Sequence, residues 1–84
     1  MAEDLKAPEA VVKRSVSIAG HPTSVSLEEP FWAALRMIAA ERNLALAALI
    51  AEIDETRAGA GLSSAIRLHV LAHYQHLASQ AATD

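Results

Sequence analysis

From Val11 to Ile18 the sequence VVKRSVSI is rich in β-branched residues and sets Arg14, Val16 and Ile18 against Lys13, Ser15 and Ser17. A period of two is the signature of a strand with chemically different faces. Ala19-Gly20-His21-Pro22 is turn chemistry. Thr23 to Leu27 alternates again, with Val25 and Leu27 on one face and Ser24 and Ser26 on the other. The period then changes near Glu28. Phe31, Leu35, Ile38 and Ala39 recur at i, i+4, i+7 and i+8, which makes one buried stripe of a helix. Ser26 followed by Glu29 fits a capping box, Pro30 falls in the tolerant first turn, and Asn43 supplies a left-handed stop. The helical period restarts at once with Leu46, Leu49, Ile50 and Ile53 inward and Glu52, Asp54 and Glu55 outward. The segment ETRAGAG, 55–61, interrupts it with two glycines. Ser63 or Ser64 then caps a third helix to about Gln80, with Ile66, Val70, Tyr74 and Leu77 on one side. The organisation predicted is a disordered tail at 1–10, a strand-and-helix core at 11–57, a linker at 58–62 and a C-terminal helix at 63–80.

Composition sharpens this picture in one respect. The chain has 84 residues and is 52% hydrophobic, but 19 of its residues are alanine, and there is one Trp, one Phe and one Tyr. A core built so largely of alanine buries little area per contact, at about 25 cal/mol per Å². With no cysteine, disulfides and thiolate metal sites are excluded, which leaves self-association as the natural route to a larger core. The net charge of −3 weighs mildly against a nucleic-acid surface, although local placement matters more than the sum. Met1 to Glu9 carries both charge signs and lacks the apolar stretch of a signal peptide. The longest apolar run, Leu44 to Ala51, is far shorter than a membrane span. A cytoplasmic protein without membrane association is expected.

The segment TSVSLEEPFWAALRMIAAERNLALAALIAEID, 23–54, in the order strand, helix, tight turn, helix, resembles the ribbon-helix-helix family of bacterial regulators. The flanking KRSVSIAGH and LSSAIRLHVL are similar to a short subfamily with an added N-terminal strand and C-terminal helix. The resemblance implies a mainly α fold with a short β ribbon, assembled as an intertwined homodimer, possibly paired further into a tetramer. Each chain would give one strand to an antiparallel ribbon, since a lone TSVSL strand is an unpaired edge. The dimer core implied is Val25, Leu27, Phe31, Leu35, Leu49 and Ile53. The ribbon's other face would read double-stranded DNA in the major groove through Ser24 and Ser26, with position 22 as the third. The start of the second helix, at Ala45 and Leu46, would offer amides to a phosphate, and Lys13 with Arg14 would supply positive charge.

A second reading stays open beside this transcriptional regulator. Position 22 is proline, without a side-chain donor, and position 45 is alanine, where Ser or Thr would both cap the helix and touch phosphate. With the acidic charge and the carboxylates of the second helix, these favour a protein-binding module, an adaptor or antitoxin-like protein that keeps the fold. His69, His73 and His76 fall within one stripe of the third helix, where an i, i+4 pair has chelating geometry. They are metal candidates to set against amphipathic filler at a helix contact, and no cofactor is expected. The sequence contains no cysteine nucleophile, no Gly-x-Ser-x-Gly turn and no phosphate loop with lysine, so an enzyme is not expected.

Overall fold

The alternating segments form a hairpin within one chain. In a computed structural model that describes residues 10–82, β1 (Val11–Ile18) and β2 (His21–Glu28) pair antiparallel along their whole length, from Val11 opposite Glu28 to Ile18 opposite His21. Two residues connect them. Ala19 and Gly20 have φ of 53° and 83°, the double positive φ of a turn whose twist matches paired strands. The tail predicted at 1–10 lies outside the described residues except for Ala10, whose carbonyl accepts the Glu29 N–H at 3.3 Å and extends the ladder by one step.

This pairing corrects the expectation that the 23–27 strand lacks a partner within its own chain. β2 is longer than expected and β1 lies along one side of it. The ladder also explains Pro22. Hydrogen-bonded and non-hydrogen-bonded pairs alternate in an antiparallel ladder. The turn-closing pair Ile18/His21 and the Ala10/Glu29 step both belong to the bonded set. Pro22 stands opposite Ser17 in the other set, where a missing N–H costs the hairpin nothing.

Three helices follow: α1 (Glu29–Glu41), α2 (Leu46–Thr56) and α3 (Leu62–Ala82). α1 enters with Pro30 in its first turn and closes with Asn43 at φ 59°. The capping box does not form. Glu28 occupies the cap position without a side-chain bond, and the Ser26 carbonyl instead accepts the Ser63 hydroxyl at 2.8 Å. Ser63 is correspondingly not a cap, because α3 already begins at Leu62.

The core lies beneath the hairpin. Val16, Ile18, Val25 and Leu27 point down onto Trp32, Leu35, Ile38 and Ala39 of α1, Leu49, Ile50 and Ile53 of α2, and Ile66 and Val70 of α3. Trp32 is fully buried and its indole N–H donates to the Val12 carbonyl at 2.9 Å, tying β1 to α1. The sequence reading set the stripe one residue early, on Phe31, which is only half-buried. Trp32 stands one turn before Leu35 and two before Ala39, and Phe31 one turn before Leu35 and two before Ile38. Both aromatics therefore flank the same stripe, and the surrounding elements cover Trp32 the more deeply. Beyond Val70, α3 has no buried residue, and Leu71, Tyr74 and Leu77 are exposed.

Candidate nucleic-acid interface

The two faces of the hairpin follow from the period of two. Val12, Arg14, Val16 and Ile18 share the lower face with Thr23, Val25 and Leu27. The upper face carries Val11, Lys13, Ser15 and Ser17 of β1 beside Pro22, Ser24, Ser26 and Glu28 of β2. Lys13 stands opposite Ser26, and Ser15 opposite Ser24. Lys13, Ser15, Ser17 and Ser24 are exposed and Ser26 is half-buried, so a row of hydroxyls with one ammonium lines the ribbon.

Lys13 and Arg14, read together from the sequence as one phosphate-binding pair, are not brought together, because neighbours in a strand point to opposite faces. The Arg14 guanidinium lies below, 5.6 Å from the centre of the Trp32 ring and 3.6 Å from the Glu29 carboxylate. Arg36 approaches the same carboxylate at 3.8 Å. Arg42 forms a two-pronged pair with Glu52, both contacts at 2.9 Å, and Arg57 binds Asp54 at 2.6 Å. Arg67 of α3 holds Glu28 at 2.9 and 3.2 Å and lies 5.9 Å from the centre of the Phe31 ring. That contact, the Glu28 backbone N–H and the Arg67 charge hold the Glu28 carboxyl below the ordinary carboxylate range, against a smaller desolvation effect. Among the described residues, Lys13 is the one Lys or Arg without an ion pair.

Ala45 occupies the cap position of α2. Its carbonyl accepts the Ala48 and Leu49 N–H groups, with no side-chain cap. The Leu46 and Ala47 amides are the unpaired donors of that first turn. Of the residues expected in a dimer core, Val25, Leu27, Leu35, Leu49 and Ile53 are buried inside the single chain. The sequence reading missed Ser15 and Ser17 as members of the upper face. The alternation that placed Ser24 and Ser26 there applies equally to β1, once β1 is known to pair with β2.

Of the α3 histidines, His73 lies beside Glu41 of α1 and His69 near Arg42 and Glu52, and the three share no common centre. His73 Nε2 is 3.3 Å from the Glu41 carboxylate, without hydrogen-bond alignment. Burial, and next the Arg42 charge, keep the His69 imidazole below its ordinary value, with Glu52 opposing. His76 is exposed. Among the described residues no group of three His, Asp or Glu is placed to hold a metal ion.

The sequence profile of the ribbon-helix-helix domain matches residues 11–74, and the two-stranded ribbon leading into α1 and α2 has the architecture that profile describes. The chain belongs to the ribbon-helix-helix family. It is also similar to the structure of an uncharacterized protein from Bordetella pertussis Tohama I, at 30% identity and a TM-score of 0.70. That match covers 88% of this chain and 62% of the other, so this chain spans under two thirds of its relative's length. No curated protein matches. Ribbon-helix-helix domains are in general non-catalytic, DNA-binding and dimeric, and serve as transcription regulators or antitoxins. Among the described residues no helix is long and apolar enough to cross a membrane.

Proposed function

We propose that this protein is a homodimeric, cytoplasmic transcriptional regulator that binds double-stranded DNA with the upper face of its ribbon. The observation that carries this reading is the contrast on that face. Lys13, Ser15, Ser17, Ser24 and Ser26 form a polar row directly above an apolar one. Serine hydroxyls donate and accept, so they can meet any base edge and discriminate modestly. Lys13 anchors the backbone, and the Leu46 and Ala47 amides at the Ala45 cap offer a phosphate seat. Arg14 holds Trp32 and Glu29 and leaves the phosphate work to Lys13. The test is fluorescence anisotropy with duplexes from the gene's own upstream region. Saturable binding below about 10 µM at 50 mM salt is expected, and its absence on every duplex overturns the reading, since ordinary non-specific association is no weaker.

One observation favours a different partner. Five arginines are neutralised by carboxylates of their own chain, and Glu28 shares the ribbon's upper face. A protein-binding module of adaptor or antitoxin type uses the same fold with this weak positive charge. A stoichiometric complex with a co-encoded protein, together with no duplex binding, would establish it.

A further inference from the structure

The two ends of α3 meet different surroundings. The first half packs on its own chain through Leu62, Ile66 and Val70, with His73 beside Glu41. Past Val70, every described residue except His73 is exposed, so the helix runs on beyond the body that it covers. An exposed helical surface ordinarily carries charge. α1 and α2 follow that rule, with Glu29, Arg36 and Glu41 on the one and Glu52, Asp54 and Glu55 on the other. α3 does not, for between Arg67 and Asp84 the chain has no Asp, Glu, Lys or Arg. Leu71, Tyr74 and Leu77 are 52%, 37% and 41% exposed there. Large apolar side chains in a surface emptied of charge are the composition of an interface core, not of a solvated face.

The exposed side has its own period. Arg67, Leu71, Tyr74, Ala78 and Ala81 follow one another at alternating intervals of four and three residues, the seam by which one helix packs lengthwise on another. This seam lies beside the stripe of Ile66 and Val70 and not on it, so α3 can hold its own chain and a second helix at once. We propose that the occupant is α3 of a second copy, running antiparallel, with the two-fold axis at Tyr74. Charge singles out a copy over a foreign helix. A two-fold contact sets each residue near the axis against its own kind, so a self-interface must be free of charge there. A foreign partner imposes no such demand. Leu71 then faces Leu77 of the second copy, and Arg67 faces Ala81 at the carbonyl end of that helix, where a cation is favoured. The two Arg67 positions are about 21 Å apart along the axis, well outside the screening length of about 8–10 Å. The small Ala78 and Ala81 side chains let the two backbones approach closely. The seam is about 22 Å of helix, less than an interface of standard size needs. It therefore adds to the homodimer proposed above and joins such dimers in pairs, independently of DNA binding.

Two variants at the axis test this. Tyr74→Lys and Tyr74→Glu each set like charges face to face across it. The position is exposed and both new residues are good helix formers, so helical circular dichroism should persist. In sedimentation of the full chain at high protein concentration, each variant alone should show half the mass of the parent assembly. An equimolar mixture of the two, with opposite charges across the axis, should return to the parent mass, a rescue that a misfolded variant could not give. Halving from four chains to two leaves the homodimer of the proposed function in place. Halving from two chains to one removes that homodimer and keeps the α3 contact. A monomeric parent, a mass unchanged in both variants, or a mixture that stays at half mass overturns the proposal.

Discussion

The lower and upper faces of the hairpin are made by the same sixteen strand residues, yet they answer to different requirements. Below, Val16, Ile18, Val25 and Leu27 are removed from water against three helices. Above, serine and lysine meet solvent and touch almost nothing in the chain. On the reading proposed above, the lower face decides whether the protein folds and the upper face decides what it meets. Substitutions on the two sides should therefore separate cleanly into losses of stability and losses of binding.

The largest effect expected is on the lower face. Leu27 has no exposed surface, and Leu27→Ala should cost roughly 2–5 kcal/mol in denaturant unfolding, enough to unfold a domain this small. A comparable cost from Ser24→Ala would break the division of labour. Trp32→Phe keeps most of the buried volume but deletes the donor to the Val12 carbonyl. A loss of about 1–2 kcal/mol is expected, read as a lower urea midpoint with duplex affinity retained by the folded fraction.

Lys13→Ala should do the opposite. Its stability should stay within about 0.5 kcal/mol of the parent, while duplex binding weakens for all sequences alike. Two chains with one unpaired lysine each predict a log K against log[salt] slope of about −2, at about −0.9 per neutralised phosphate. Lys13→Ala should flatten it and Arg14→Ala should leave it in place. Equal flattening by both would mean that the strand's alternation does not govern contact with DNA.

The smallest effect comes from Glu28, the upper-face residue that α3 has recruited. Its carboxyl is held below the ordinary value of 4.5. The stability it adds is therefore fully present above that value and is lost as pH falls through the depressed one. Glu28→Gln should lower the urea midpoint slightly at neutral pH, and the difference should vanish in acid. A difference that persists in acid would mean that Arg67 holds the strand by packing rather than by charge.

Much of this was legible in the sequence for physical reasons. Alternation fixed the strands, Asn43 marked a position that needs positive φ, and the restart at Leu46 marked the second helix. The misreadings share a cause. Phe31 and Trp32 are adjacent aromatics that flank the same stripe, four and three residues before Leu35, and a 3.6-residue period cannot say which of them the hairpin will cover. Ser26 and Ser63 each look like caps, because a hydroxyl satisfies a local backbone group or a distant one equally well. Their contact spans 37 residues, and no local pattern records it. The intrachain pairing of β1 with β2 was hidden in the same way. The turn at Ala19-Gly20 was visible, but the resemblance assigned the partner strand to another chain.

The bond from Trp32 to the Val12 carbonyl has a spectroscopic consequence. Trp32 is the only tryptophan, and it sits where β1 seats on α1, with the Arg14 guanidinium beside its ring. Its emission therefore reports the docking of one strand rather than an average over the molecule. Fluorescence that shifts to the red before helical circular dichroism is lost would show β1 lifting from an otherwise intact helical layer. Coincident transitions would show that the hairpin and the helices melt as one unit.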